Sequence, residues 1–167
     1  MSARATRATD LLARAGIAFR IVEYEAPERR GPARDARPAY GREAAAALGV
    51  DEARIFKTLV AIVDGALTLA IVPVAASLDF KLLADALGGR RAELADPATA
   101  ERATGYVIGG ISPLGLRRHL ASVVDAGASA HATIFVSAGR RGLQVELAPA
   151  DLVRVTGAHI APIARRD

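Results

Sequence analysis

Apolar residues in this chain come in short bursts whose spacing alternates between helical and extended. Leu11 and Leu12 lie on the inner face of a helix that starts at Thr6 or Ala8 and runs to Ala15, with Gly16 as its stop. Ile17 to Tyr24 reads as a strand. From Glu25 to Tyr40 the pattern dissolves into Pro, Gly, Ala and arginine, which predicts a long loop, either solvated or folded over a ligand. Gly41 to Leu48 is a short helix. Asp64-Gly65 then separates two apolar runs, Arg54 to Val63 and Ala66 to Val72, and predicts a two-residue hairpin. Both strands are nearly continuous in hydrophobics, so both of their faces should be covered. Ser77 is placed to cap a helix through Leu87, and Asp96-Pro97 opens another that ends near Ala103.

The second half adds strand candidates at Ala121 to Val124, Ala132 to Val136 and Leu143 to Leu147. A glycine-rich turn spans Ser137 to Gly142, a last helical turn Pro149 to Leu152, and an edge strand Val153 to Val155. Hairpins mixed with short helices point to an α+β fold with a mixed sheet rather than a regular βαβ repeat. With 167 residues, no internal repeat and no dividing linker, a single domain over residues 1–167 is expected.

Composition narrows the chemistry. There is no cysteine, which excludes disulfides, thiolate nucleophiles and thiolate metal sites. A formal net charge of +4 favours polyanionic partners only weakly. No signal-like or membrane-spanning apolar run occurs, so a soluble cytoplasmic protein is the expectation. His119, His131 and His159 are scattered without ligand spacing, and no Walker-type loop or dinucleotide fingerprint is present.

Two features carry candidate chemistry. Twenty of the twenty-two basic residues are arginine, yet Lys57 stands inside the apolar run Ile55 to Val63. A lysine there either snorkels to water or points a compact ammonium into a pocket. The Gly109-Gly110 pair lies between an apolar stretch and Ser112-Pro113. It is either a tight turn or a place where backbone N–H groups meet a ligand. The arginine pairs Arg90-Arg91, Arg117-Arg118 and Arg140-Arg141 sit in or beside turns, as solvated surface or as phosphate contacts.

Five segments appear in a telling order: Glu43-Ala44-Ala45 with Leu48-Gly49, Arg54 to Leu59, Thr104 to Gly115, Ser137 to Gly142, and Leu147 to Leu152. In this the chain resembles the YbaK/EbsC family, aminoacyl-tRNA deacylases related to the editing domain of some prolyl-tRNA synthetases. The likeness extends to the stand-alone members that clear cysteine from proline tRNA. It implies a mixed, strongly curved sheet flanked by helices, with Lys57 as the essential pocket lysine and Gly109 and Gly110 lining the aminoacyl pocket. It further implies substrate contacts from Tyr24, Phe56, Thr58, Ile111, Ser112, Asp125, Ser137, Arg140 and Arg141, with no metal and no cofactor. The implied partners are aminoacyl-tRNA, mischarged tRNA(Pro) in particular, and prolyl-tRNA synthetase. The implied chemistry is hydrolysis of the ester, assisted for cysteine by the substrate's own thiol. Deacylation of another small amino acid such as alanine, or a non-catalytic RNA- or ligand-binding role, are the alternatives. The family's Tyr-x-His pattern is absent, since Tyr24 is followed by Glu25 and Ala26.

Overall fold

A computed structural model describes residues 5–25 and 43–165. The expected 25–40 loop therefore lies almost wholly outside the described residues, as does the start of the helix expected from Gly41. Helix α1 spans Arg7–Arg14, and Thr6 and Thr9 satisfy each other's backbone and side-chain groups at its N-terminus. Strand β1 is Arg20–Glu23, and 43–48 is helical (α2). A 3-10 turn at Glu52–Arg54 leads into β2, Phe56–Val63, and β3, Ala66–Pro73. The hairpin is the one expected: Asp64 and Gly65 both have positive φ, at 48° and 83°.

There follow β4 (Ser77–Leu78), α3 (Phe80–Ala86), β5 (Ala92–Leu94), α4 (Pro97–Thr104) and β6 (Ala121–Asp125). A 3-10 turn at Ala126–Ala130 precedes β7 (Ile134–Arg140) and β8 (Leu143–Leu147). The chain closes with α5 (Pro149–Thr156), β9 (His159–Ala161) and β10 (Ala164–Arg165). Three expectations fail locally. The glycine-rich turn expected over Ser137 to Gly142 is strand as far as Arg140, because Ser137 and Arg140 pair with Gln144 and Leu143 across a register shift, and the turn is confined to Arg141 and Gly142. Asp79, not Ser77, caps α3, because Ser77 and Leu78 pair as a strand with Arg165 and Ala164. Val153 to Val155 is helical rather than an edge strand. Leu152 is buried and Val153 and Val155 pack onto the same core, and Gly157 ends α5 in the left-handed conformation.

The sheet is mixed and flanked by helices, as expected, but it is not one strongly curved sheet. The strands form three open sheets, none of them closed: a five-stranded β5-β2-β3-β6-β9, a three-stranded β1-β8-β7 and a two-stranded β10-β4. Phe56, Ile71 and Val124 from the large sheet share a buried cluster with Ile134, Val136, Leu143 and Val145 from the three-stranded one. The two sheets thus stack their apolar faces, which removes the need for a single sheet to curl around the core. An isolated parallel bridge between Ile55, just before β2, and Phe135 of β7 joins them. The opposite face of the large sheet, through Ala61, Ala70, Val72 and Val123, packs against Leu83 and Ala84 of α3. Both faces of the β2–β3 hairpin are covered.

A polar clamp ties these parts together. Arg54 donates to the Thr133 carbonyl and hydroxyl at 3.2 and 2.6 Å and to Glu146 at 2.8 Å, and it stacks on Phe135 at 4.9 Å. Arg20 adds a second bond to Glu146 at 2.8 Å. The Thr133 hydroxyl bond holds the Glu146 carboxyl below its ordinary value. Partial burial opposes this, and Arg20 and Arg54 reinforce it. A depressed pKa contributes stability that is present above the ordinary value of 4.5 and is lost as pH falls through the folded value. Glu146→Gln should therefore lower stability at neutral pH by about 1–3 kcal/mol. The gap from the parent protein should narrow as pH drops below 4.5 in chemical-denaturation curves. A constant gap across that range would show that the charge on Glu146 is irrelevant.

Candidate functional site

The pairing of β2 is incomplete, and that determines where the site lies. On one side β2 pairs with β3 along its whole length, from Phe56 to Val63. On the other, β5 pairs only with Ala61 to Val63, extended by a bond from the Ala95 N–H to the Val60 carbonyl at 3.0 Å. Backbone groups alternate along an antiparallel strand, so those of Thr58 point the same way as the Val60 carbonyl, past the end of β5. A cavity of about 460 Å³ occupies this gap.

The cavity wraps the strand edge. Phe56, Thr58 and Val60 reach it from one face of β2, and Lys57 and Leu59 from the other. Tyr24, Ser137 and Gln144 come from the three-stranded sheet, where Ser137 and Gln144 are cross-strand partners. Gly109 and Ile111 come from the segment after α4, with Gly109 at a φ of 95°. That segment is folded back on itself by the Tyr106 hydroxyl, which donates to the Leu114 carbonyl at 2.6 Å, and by Glu101, which accepts from the Ile108 N–H at 2.9 Å. Leu78, Phe80 and Leu94 form an apolar end, and Arg165 adds a cation.

Two buried polar atoms in this lining have no hydrogen-bond partner: the Thr58 hydroxyl oxygen and the Gln144 carbonyl oxygen. Gln144 is only 8% exposed. Leaving such acceptors unsatisfied costs about 1–3 kcal/mol each, which a polar group entering the cavity would recover. Burial pushes the Tyr24 phenol up, partly offset by a hydrogen bond at Gly142, the nearby Arg141 charge and a bond to Gln144. Tyr24 is thus a neutral hydroxyl at physiological pH. Among the described residues that line the cavity, none is Asp, Glu or His.

Of the residues singled out from sequence, the cavity gathers Tyr24, Phe56, Lys57, Thr58, Gly109, Ile111 and Ser137. The others lie elsewhere. Gly110 is buried with its N–H on the Val107 carbonyl at 2.9 Å, so it is not a free donor. The Ser112 hydroxyl accepts from the Leu114 N–H at 3.2 Å within the same loop. Asp125 is buried and accepts from the N–H groups of Gly127, Ile163 and Ala164, each at 3.0 Å, which fixes the C-terminal segment carrying Arg165. Arg140 lies 4.0 Å from Glu23, and Arg141 pairs with Glu43 at 3.2 Å. Sequence reasoning missed Gln144, Phe80, Leu94 and Arg165. Gln144 gave no signal, since it alternates with Leu143, Val145 and Leu147 as a solvent-facing residue would, yet it is buried opposite Ser137. Among the described residues no helix is long and apolar enough to cross a membrane, and no three His, Asp or Glu side chains cluster to hold a metal ion.

Comparison with known proteins places this site in a family. The sequence model of the aminoacyl-tRNA editing domain matches residues 38–155. A curated relative from Enterococcus faecalis, EbsC, a candidate Cys-tRNA(Pro)/Cys-tRNA(Cys) deacylase, is 36% identical over 124 residues, covering 74% of this chain and 76% of its own. Among solved structures, the hypothetical protein APE2540 superposes with a TM-score of 0.82 at 27% identity, over 96% of this chain and all of its own. A candidate trans-editing enzyme for prolyl tRNA synthetase gives the same TM-score at 25% identity, over 99% of each chain. The chain belongs to the aminoacyl-tRNA editing domain family: it is an editing hydrolase, and its partner class is aminoacyl-tRNA.

The geometry changes what substitution of Gly110 should do. A β-carbon there would stand 2.6 Å from the Arg140 α-carbon and 2.9 Å from the Arg141 nitrogen, both backbone atoms that cannot swing aside. Gly110→Ala should lower stability by about 1–3 kcal/mol through overpacking, read as a fall in thermal midpoint. An unchanged midpoint with lost activity would instead return Gly110 to the chemistry.

Proposed function

We propose that this editing domain, acting as one unit over residues 1–167, hydrolyses the ester of mischarged tRNA in trans, with Cys-tRNA(Pro) as its substrate. Prolyl-tRNA synthetase is the partner whose errors it would clear. The observation that carries this reading is the polar inventory of the cavity. It offers cations, neutral hydroxyls and two unsatisfied acceptors. An aminoacyl ester is already activated, so it needs positioning and charge stabilisation more than a protein nucleophile.

In this arrangement the unsatisfied oxygens of Thr58 and Gln144 receive the substrate's α-ammonium group. Lys57 orients the ester or the phosphate of the terminal nucleotide. Edge N–H groups of Thr58 and of the Gly109 turn stand where a developing oxyanion would form, in place of the committed Gly110 N–H. With cysteine as the amino acid, its own thiolate attacks the ester carbonyl carbon. The C–O bond to the ribose breaks, the ribose oxygen takes up a proton, and the amino acid leaves as a cyclic thiolactone. EbsC, named for Cys-tRNA(Pro) and Cys-tRNA(Cys) deacylation, supports the same substrate class.

Two measurements test this. Lys57→Ala should reduce the single-turnover rate about a hundredfold while leaving the thermal midpoint in place, because Lys57 lines a cavity rather than filling the core. Lys57→Arg should also lose most of the rate, since a planar fork does not replace a compact ammonium. A near-normal rate for the arginine variant would reduce Lys57 to a generic positive charge.

The second measurement is a panel of Cys-, Ser- and Ala-tRNA. Cysteine and serine are near-isosteres that a small pocket separates poorly. A thiol, however, is already a few per cent thiolate at neutral pH, whereas a hydroxyl is not. Cys-tRNA should therefore be cleaved far faster than Ser-tRNA. Comparable rates on all three would rule out attack by the substrate and point to a positioned water, with alanine or another small residue as the target.

A further inference from the structure

The cavity has a second end that the aminoacyl group does not need. At about 460 Å³ it falls in the range that accommodates a drug-sized ligand, far more than the side chain of a small amino acid occupies. Thr58, Tyr24, Ser137 and Gln144 line it where β2 meets the three-stranded sheet, and Lys57, Ser77 and Arg165 are the polar residues elsewhere in the lining. Across the β2 edge Phe80 and Leu94 line it beside Ser77 and Arg165, and both are exposed, by 37% and 42%.

Phe80 is unusual for this chain. Phe56 and Phe135 are 2% and 1% exposed and Tyr106 is 7% exposed, so those rings belong to the core. Among the described residues Phe80 is the aromatic left as an exposed large hydrophobic, and it sits at the mouth of the functional cavity. Its backbone is held firmly. It is the first residue of α3, whose cap Asp79 accepts from the Leu82 N–H at 3.0 Å and donates its own N–H to the Ile163 carbonyl at 2.8 Å. A ring fixed at a cavity mouth, with Arg165 in the same lining, offers what a single-stranded RNA end requires: a flat apolar face beside a cation.

We propose that Phe80, with Leu94 beside it, is the seat of the terminal nucleobase of the tRNA, the adenine stacking on the Phe80 ring while its ribose spans the β2 edge. This rests on the deacylase reading and adds the nucleoside subsite to it. The ester oxygen then lies between the two ends, over Thr58 and Lys57. Selection of the RNA end comes from stacking at one end and selection of the amino acid from polar contacts at the other.

The test uses two non-hydrolysable probes, an aminoacyl amide of 3′-aminoadenosine and the same amide on a ribose lacking the base. They are titrated against the parent protein, Phe80→Leu and Phe80→Tyr. Leucine keeps the apolar volume and removes the ring, whereas tyrosine keeps the ring. Phe80→Leu should weaken the adenine probe roughly tenfold and leave the base-free probe unchanged, with Phe80→Tyr close to the parent. KM for aminoacyl-tRNA should rise by the same factor at constant kcat. Equal weakening of both probes, no weakening, or no binding of the adenine probe to the parent protein would overturn the seat. If the parent protein shows adenine-dependent binding that Phe80→Leu removes but hydrolyses no aminoacyl-tRNA, the seat stands and the deacylase reading falls. If it hydrolyses the ester and Phe80→Leu changes nothing, only the seat falls.

Discussion

A strand edge must be paired, covered or used, and in this protein the edge of β2 between Phe56 and Leu59 is the feature on which the site depends. β5 stops short of it, so a cavity can wrap around the strand instead of lying on one face of the sheet. That is why Lys57 and Thr58, neighbours in sequence whose side chains leave opposite faces of the strand, line the same space. Had β5 been three residues longer, its ladder would have filled the gap. Lys57 and Thr58 would then have been separated by a continuous sheet.

The edge stays open because the surrounding turns are held rigid by carboxylates. Asp64, at the hairpin, accepts from the N–H groups of Arg90 and Arg91 at 2.9 and 3.0 Å, which fixes where β5 begins. These two bonds hold the Asp64 carboxyl below its ordinary value. They also give Arg90 and Arg91 a backbone role that their side-chain chemistry did not suggest. Asp125 does the same at the far end, gathering the N–H groups of Ile163 and Ala164 so that β10 pairs with β4 beneath Phe80. On the third side Gly110 lets its loop touch the Arg140 backbone, which brings Gly109 and Ser137 to one rim. Asp125 and Gly110 thus support the rim without entering it.

The features legible in the sequence are those fixed by a few adjacent residues. Asp64-Gly65 formed its hairpin, and Asp96-Pro97 opened α4 with the Asp96 side chain on the Thr99 N–H, because turn and cap chemistry acts within three or four residues. The misreadings arose where distant partners decide. Ser77 has the chemistry of a cap, but its pairing with Arg165, far along the chain, draws it into a strand. Val153 to Val155 has β-branched residues, but the core beneath Leu152 keeps them helical. The single curved sheet was what the family resemblance implied, and the strand pattern itself pointed only to a mixed sheet. The stacking of two open sheets is a tertiary fact that alternation along one strand does not encode. At the site, Lys57 stood out because an Arg-rich chain makes a lysine conspicuous, and glycines mark backbone contacts. Phe80 and Leu94 gave no such signal, since an apolar residue at a cavity mouth has the same letter as one in the core.

The proposed division of labour across the β2 edge also bears on how a chain without cysteine can act on an ester. Catalysis by positioning requires the reacting carbonyl to be held at two points, one on each side of the bond that breaks. A pocket on one face of a sheet holds a ligand from one side and leaves the other to water. In the proposed arrangement an edge-wrapping cavity would reach the amino acid from one face and the nucleoside from the other, with the ester between them against the strand backbone itself. Backbone N–H groups are rigid donors that need no reorganisation when charge develops. On this view the short β5 is a constraint of function as much as of fold: shortening it leaves edge N–H groups available at the place where an oxyanion would form.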